Sequence, residues 1–550
     1  MTARKDFPVA YFCAEFAVDA KIPTYAGGLG VLAGDLVKAA SEENFPLIGI
    51  GLIYKGIFFV QKITQDGLQV EENAGFDPET SMSLRRVTLR GKPVMVEIDL
   101  GEKVFVAAYQ LRLGEVTTVY FLTTDIEENS DEWRYALDSD YCCGADVELR
   151  QQLILGLGGV KLLKTLGIKP SVYHFNEGRP CFAVWEVARQ IAGEKKVSFE
   201  KALVQARTKI VYTNHTLMPS GNLVYDLNLV ERYAQKYAQG INVDLQLLIK
   251  EGKEPENKGQ SAQAGFGITR YALASSRKAT AVSKLHFDFC IDYWKGNWSY
   301  VTNGVHMGTW QNYKFADKSV GDSDLWLNHI KLKDTLLREV IERTGFGYNP
   351  KRLVVGWARR IADYKRFEGI FEDVLRLSRL IKSEGREVQI LLAGKAHVGD
   401  AAAVEAIKKV IGFMKGELSG NAIFVPNYDL ELARKMVAGV DVWLNTPIVG
   451  QEACGTSGMK ALANGVLNLT TKDGWVAEVD LSDAGWILDD ANLAESFYTL
   501  LDKEVLPQFY NRSEEGMPIG WVKKMRNSIE LSERFDIRKT LEDYKQKLYD

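Results

Sequence analysis

The sequence predicts an α/β protein built on two doubly wound parallel sheets. Three observations predict it. From residue 353 onward, short continuous apolar runs alternate with amphipathic stretches of helical spacing, the pattern of buried parallel strands with helices between them. A similar rhythm surrounds VAYFCAEF (9–16) and SVYHFNE (171–177). The chain has 550 residues, too many for one ordinary core and enough for two or three domains.

In the first half, VAYFCAEF and PLIGIGLIY (46–54) read as strands flanking the loop YAGGLG (25–30) and the helix after it. MVEIDL, VFVAAYQLRL and TTVYFLTT read as an antiparallel insertion around 90–125. LRQQLILGLGGVKLLKTLG (149–167) has helical spacing, and SVYHFNE and KIVYTNHT (209–216) are strands. In the second half, LVVGWA (353–358) opens the series. RFEGIFEDVLRLSRLIKSEG (366–385) is read as a helix that ends at Gly385, followed by the strand VQILLAG (388–394) and the helix AAAVEAIKKVIGFMKG (401–416). AIFVPNY, LELARKMVAG and VDVWLNT continue the alternation to residue 446. The boundary falls between Asn303 and Lys351. The expected units are 1–305, 306–525 and a terminal segment, 526–550. In that segment Ile537, Leu541, Tyr544 and Leu548 share one helical face, which needs a partner and would find one by crossing back to the first domain. Doubly wound sheets bind ligands at the carboxyl ends of their strands. Two such domains facing each other would place the site in the cleft between them.

Composition narrows the function. The net charge is −4, and no basic stripe stands out, so no nucleic-acid partner is expected. The six cysteines form no CxxC pair, and Cys142 and Cys143 are adjacent. That suits neither a zinc cage nor a disulfide framework, so reduced thiols in a cytoplasmic protein, with no metal, are expected. The start, MTARKDFPVAYFC, lacks the apolar core of a signal peptide. The longest apolar stretch, FPLIGIGLIYKGIFFV, is interrupted by Lys55 and reads as strands and a turn, so no membrane partner is expected.

The segment QEACGTSGMK (451–460) carries the chemistry. It follows the buried strand VDVWLN, and a helix is expected to begin near Thr456, which can cap it. Free N–H groups at such a start, with Gly455 allowing close approach, suit an anion. Lys460 lies four residues after Thr456, on the same helical face, and its side chain leans back toward the helix start. A lysine sheltered there can have a lowered pKa and form a Schiff base. By spacing alone, a solvated lysine at a helix start is the commoner reading. A Walker A loop is excluded, since neither Ser nor Thr follows the lysine. WARRIADYKR (357–366) adds Arg359, Arg360, Lys365 and Arg366 at a strand-to-helix turn. There Arg can grip phosphate oxygens with two N–H groups, and Lys can add a compact charge.

EACGTSGMKALANGVLNLTTKDGW (452–475) closely resembles the cofactor segment of the α-glucan phosphorylases, above all their shorter bacterial and archaeal branch. AEFAVDAKIPTYAGGLGVLAGD (14–35), YHFNEGRPCFA (173–183), YTNHT, SKLH, TNGVHMGTW (302–310), WARRIADYKR, AGKAH and NYDLELAR (427–434) follow the family order, so the resemblance runs from about Val9 to Trp475. It implies two facing Rossmann-like domains of GT-B type. It implies reversible phosphorolysis of terminal α-1,4-glucosidic bonds in an α-glucan or maltodextrin by inorganic phosphate, releasing α-D-glucose 1-phosphate with retained configuration. Lys460 would carry pyridoxal 5'-phosphate, with Gly455, Thr456 and Tyr428 around the cofactor. Its phosphate group, lying beside the substrate phosphate, would do the catalytic work. Arg360 and Lys365 would bind the attacking phosphate, and Gly28 would add backbone N–H contacts. His215 would contact the transferred glucosyl unit, and Glu452 and Asn303 its hydroxyls. Glu177 and Arg179 would line the cleft, with Lys395 and Trp310 as walls.

Arg179 stands where relatives commonly have His, which points to a difference in acceptor preference or in the geometry around the bond. The acid common before the proline of DAKIPTYAGG is missing too. The chain begins almost directly at VAYF, so no allosteric control of the animal type is expected; a homodimer is compatible with the resemblance. Two rivals stay open at this stage. One is a nucleotide-sugar glycosyltransferase of glycogen synthase type, which shares the fold and a GGLG loop but needs no pyridoxal phosphate. The other is a carbohydrate-binding protein without activity.

Overall fold

Hydrogen-bond ladders gather the apolar runs into two large sheets. The computed structural model describes residues 7–22, 24–56, 59–73, 75–139, 143–217, 221–255, 265–397 and 399–550. Cys142, the first six residues and part of the GIFF run lie outside the described residues.

The first sheet runs in the order Trp298–Tyr300, Lys278–Ala281, Ile210–Thr213, Val172–Asn176, Val9–Phe12, Leu47–Leu52, Thr118–Thr123, Lys103–Arg112 and Arg85–Arg86. The strands from Trp298–Tyr300 through Thr118–Thr123 are parallel. Lys103–Arg112 pairs antiparallel with Thr118–Thr123, Arg85–Arg86 and Met95–Asp99. The expected antiparallel insertion is present, since Met95–Asp99, Lys103–Arg112 and Thr118–Thr123 pair antiparallel in succession, and its last strand, in TTVYFLTT, also joins the parallel sheet beside Leu47–Leu52. The side chains match these positions. Thr118–Thr123 is buried along nearly its whole length, as an interior strand must be, whereas Met95–Asp99 alternates exposed and buried like an edge strand.

The second sheet is wholly parallel, in the order Ala422–Val425, Val388–Ala393, Leu353–Ala358, Val442–Asn445, Leu467–Thr470 and Gly485–Ile487. In both sheets the chain builds outward on one side of its first strand, then returns to build on the other. The order reverses between Val9–Phe12 and Val172–Asn176 in the first sheet and between Leu353–Ala358 and Val442–Asn445 in the second. Helices at such a reversal leave to opposite faces and open a crevice at the carboxyl ends of the two strands.

Strand alternation fills both faces of each sheet. Ala10 and Phe12 join one core while Val9, Tyr11 and Cys13 join another. Leu353, Val355 and Trp357 face one side of the second sheet, Val354 and Ala358 the other. The helix expected over 366–385 forms only at Val374–Ile381. Arg366 adopts a left-handed φ of 47°, and its guanidinium donates to the carbonyls of Thr446, Pro447 and Asp490 and to the Asp490 carboxylate. That holds the segment as a loop until Asp373 caps the helix by accepting from Arg376 N–H.

Ile537–Tyr544 is helical, and Ile537, Leu541, Tyr544 and Leu548 are buried with Leu32 and Leu36 of the helix Gly28–Glu42 and with Val9 and Tyr11 of the first sheet. The Tyr549 hydroxyl lies 2.9 Å from His174 Nδ1 inside that sheet. A hairpin, Phe59–Ile63 with Gln69–Asn73, reaches the second sheet. Its Gln61 and Gln69 side chains are buried and bond to each other and to the backbone at Gly394, Ala396 and Asn427. Cys13, Cys181, Cys290 and Cys454 are free and buried. Cys143 is disulfide-bonded, so the expectation of reduced thiols is corrected at that position. No helix among the described residues is long and apolar enough to cross a membrane.

Candidate active site

The crevice of the second sheet is lined by two loops, one after Ala358 and one after Asn445. Arg359 is buried, and its Nη2 lies 3.0 Å from Glu452 Oε2. Lys365 Nζ is 3.8 Å from the same oxygen. The remaining Nε and Nη1 of Arg359 are buried without a hydrogen-bond partner, which is costly for a guanidinium unless an anion completes the site. Burial, aided by the neighbouring Arg359 and Arg360 charges, lowers the Lys365 pKa to about 7, with Glu452 opposing the shift. Burial pushes Glu452 up, but Lys365, Arg359 and Arg360 outweigh it and hold the carboxyl below its ordinary range.

The resemblance assigns the phosphate role to Arg360 and Lys365 and none to Arg359. In the structure Arg360 is exposed and Arg359 is the enclosed cation. The WARR spacing cannot distinguish two adjacent arginines at a strand end. Arg366 is spent on the loop described above. Glu452, expected to meet sugar hydroxyls, is seated by the fold among the cations.

Glycines make the Glu452 loop possible. Gly455 has φ +79° and Gly474 φ +54°, a region that favours glycine. A Cβ on Gly474 would stand 2.2 Å from the Cys454 carbonyl oxygen. This close approach lets the Asp473 carboxylate accept from the backbone N–H of Gln451 and Glu452. The helix Ser457–Leu462 follows. Thr456 precedes it, but its side chain makes no capping bond, which corrects the expected cap. Lys460 is 8% exposed, and its Nζ sits 3.8 Å from the ring centroid of buried Trp310. Burial lowers its pKa to about 8, against the pull of Asp35 and with a small contribution from Lys38. Asp35, from the helix Gly28–Glu42, accepts from Trp310 Nε1 at 2.8 Å and from His306 N at 3.1 Å. Lys460 and Asp35, from the two halves of the chain, thus meet around one indole. Nearby, Ser283 Oγ donates to the Ala453 carbonyl at 2.6 Å.

The crevice of the first sheet is different. Gly30 and Gly34 are packing glycines: a Cβ would lie 2.6 Å from Tyr25 Cβ and 2.2 Å from the Ala17 carbonyl oxygen, respectively. Gly27 and Gly28 face open space, with nothing within 4 Å of a Cβ. The Glu15 carboxylate takes the N–H groups of Ala26 and Gly27, so the N–H groups available to a ligand begin at Gly28, in the first turn of its helix.

Glu177 does not reach outward. Its φ is +67°, and its carboxylate accepts from His215 N at 2.6 Å, Thr216 Oγ1 at 3.0 Å and Gly178 N at 3.2 Å. It braces the His215 turn. His215 Nε2 is 2.7 Å from Asn176 Oδ1. Burial, with the nearby His286, lowers the His215 pKa to about 3, so the ring is neutral at working pH and presents Nδ1 as an acceptor. Arg179 is tied to Glu148 at 3.7 Å. Asn303 is 4% exposed and its Oδ1 has no partner. Tyr428 is half-buried beside Asn427, which Gln61 fixes. Lys395, expected as a supporting wall, has a pKa lowered to about 8 by burial, and its charged neighbours are Asp429, Arg343 and Glu71.

Residues 300–485 match the family model described as carbohydrate phosphorylase. The chain is 35% identical to the maltodextrin phosphorylase of Thermococcus litoralis over 98% of its own length and 70% of that protein's. It is 33% identical to the glycogen phosphorylase of Aquifex aeolicus, covering 98% of this chain and 86% of that one. An uncharacterized protein of Methanocaldococcus jannaschii is 31% identical over 98% of this chain and 99% of its own. With an enclosed lysine, a caged cation cluster and relatives matched over nearly its whole length, the chain belongs to the carbohydrate phosphorylase family.

Proposed function

We propose that the protein is an α-glucan phosphorylase that cleaves terminal α-1,4-glucosidic bonds of a glucan or maltodextrin with inorganic phosphate and releases α-D-glucose 1-phosphate. The observation that carries this reading is the buried Arg359, whose Nε and Nη1 stay unpartnered beside Lys365 although Glu452 pairs with its Nη2. Residues 1–305 and 306–525 are read as two facing Rossmann-like domains of GT-B type, with the segment 526–550 returning to the first and the reaction in the cleft between them.

The residues fit pyridoxal 5'-phosphate. Lys460 offers a buried amine of lowered pKa over the Trp310 ring, the orphaned Arg359 N–H groups suit a phosphate, and Tyr428 is a wall. Held by Lys460 and Arg359, the cofactor would supply a phosphate group able to act as a proton donor and acceptor beside the substrate phosphate. The chain's own residues do the rest. Enclosed Lys365 and, more weakly from its exposed position, Arg360 bind the incoming phosphate as charges, assisted by the N–H of Gly28. Glu452 offsets the cationic charge, so that two phosphates can share the site without being held too tightly to leave. Neutral His215 and Asn303 orient the sugar through an imidazole nitrogen and an unpaired carbonyl oxygen. Carboxylate chemistry of the glycosidase kind is not invoked, since Glu452 is paired to cations and Glu177 to its own turn.

The test is to incubate the protein with maltodextrin and phosphate, with and without added pyridoxal 5'-phosphate, and to assay glucose 1-phosphate. Cofactor-dependent product is expected. A protein that makes no sugar phosphate from maltose, longer maltodextrins or glycogen overturns the reading. Glucosyl transfer from a nucleotide sugar without cofactor would establish the rival.

A further inference from the structure

We propose that Asp35 is a positioning residue that acts through Trp310 to hold the Lys460 amine on the indole face and keep its charged form available. The inference concerns how this chain presents its lysine. It rests on the proposed role of Lys460 for its meaning, but not for its test.

Three buried groups stand in series. The Asp35 carboxylate, 2% exposed, accepts the indole N–H of Trp310 at 2.8 Å and the backbone N–H of His306 at 3.1 Å. The Trp310 ring in turn lies 3.8 Å from Lys460 Nζ. A cation is drawn to an aromatic face by the ring's electron density. An anion accepting the indole N–H polarises the ring toward that face, as hydrogen-bonded chains reinforce one another in a low-dielectric interior. Asp35 also attracts the ammonium directly through space, which opposes the desolvation of Lys460.

The other charged groups facing this series support the assignment. Lys38, on the same helix as Asp35, donates to Thr309 Oγ1 at 3.2 Å. It lies within range of Asp19, Glu42 and Arg434, and of Asp35 itself. His306 directs Nε2 to Glu42 and Nδ1 to Thr309, both at 2.8 Å, so its ring is engaged away from Asp35. Asp35 is thus the one carboxylate among the described residues whose charge acts on Lys460. Glu15, Glu177 and Glu452 are each bound elsewhere.

The sign follows. Removing the Asp35 charge removes a stabiliser of the ammonium, so the lysine loses its proton at lower pH. Lowering the titration midpoint by about one pH unit raises the fraction of free amine below it roughly tenfold. The experiment uses the full chain stripped of cofactor. It measures acylation of Lys460 by an amine-reactive ester against pH, read by mass spectrometry of the peptide, with thermal melting to check folding. For Asp35→Asn the labelling midpoint is expected to fall by about one pH unit, and Asp35→Glu is expected to restore most of it. Trp310→Phe keeps a ring but removes the N–H link, and it is expected to move the midpoint in the same direction by less. An unchanged midpoint in folded Asp35→Asn overturns the proposal. If that variant does not fold, an unchanged midpoint in Trp310→Phe does so. The labelling involves no cofactor and no glucan, so a protein that proves not to be a phosphorylase leaves this outcome readable.

Discussion

Arg359, Arg360 and Lys365 crowd the strand-order reversal of the second sheet, whereas the reversal of the first offers bare Gly27 and Gly28, a neutral His215 and, nearby, Asn303. The two crevices share a topology and differ in chemistry. One concentrates positive charge and offsets it with a single carboxylate, Glu452. The other removes charge: its carboxylates, Glu15 and Glu177, are consumed by backbone N–H groups, and burial keeps its imidazole uncharged. The same architecture can therefore hold an anion on one side and an uncharged polyol on the other. Which it does is decided by the few residues just after the strand ends.

Removing Lys460 tests the comparison most severely. Lys460→Ala is expected to abolish retention of pyridoxal 5'-phosphate and sugar-phosphate formation, measured by the absorbance of the bound cofactor and by the product assay. Next comes the charged side. Arg359→Ala strips Glu452 of its closest cation and is expected to lower kcat/KM for phosphate by about 100- to 1000-fold, the usual effect of losing one preorganised electrostatic contact. Arg360→Ala, at an exposed position, is expected to cost much less. Equal losses in the two variants would remove the distinction drawn between them.

The glycines sharpen the contrast from the neutral side. Gly34→Ala forces a Cβ against the Ala17 carbonyl and is expected to destabilise the fold by about 1–3 kcal/mol, seen as a lower melting temperature. Gly28→Ala meets no atom of the protein; its melting temperature should stay close to that of the parent while KM for phosphate rises. The smallest expected effect is in pH. Lys365 has a folded pKa of about 7, below that of a free lysine, so it is charged below that pH and neutral above it. KM for phosphate is expected to climb as pH rises through about 7, and Lys365→Arg, which stays charged, should flatten the rise.

Periodicity reveals the longer parallel strands because a run such as LVVGWA is apolar on both faces, but it does not mark the short strands Lys278–Ala281, Trp298–Tyr300, Leu467–Thr470 and Gly485–Ile487. It fails where a local polar contact overrides spacing. The 366–385 segment has helical periodicity, yet the Arg366 guanidinium ties its first turns to Thr446 and Asp490, residues far along the chain. TTVYFLTT pairs antiparallel as expected, but its second, parallel neighbour goes unseen because a strand's sequence does not name its neighbours. In the site, Lys460 and the cation loop are legible from motif and resemblance. Which of Arg359 and Arg360 turns inward is not, because two adjacent residues at a strand end differ only in direction. Asp35 and Gln61 give no signal, since each acts across more than 270 residues of sequence on partners that only folding brings near.

The segment Ile537–Tyr549 completes the core beneath the strand Val9–Phe12. A ribosome must therefore deliver the entire second sheet before the earliest strand gains its last apolar cover. Until then the nascent first half carries an open greasy seam beside Tyr11 and His174, where chaperones or self-association would act. Maturation of this enzyme thus waits on a segment translated long after the strand it protects, and cannot proceed unit by unit.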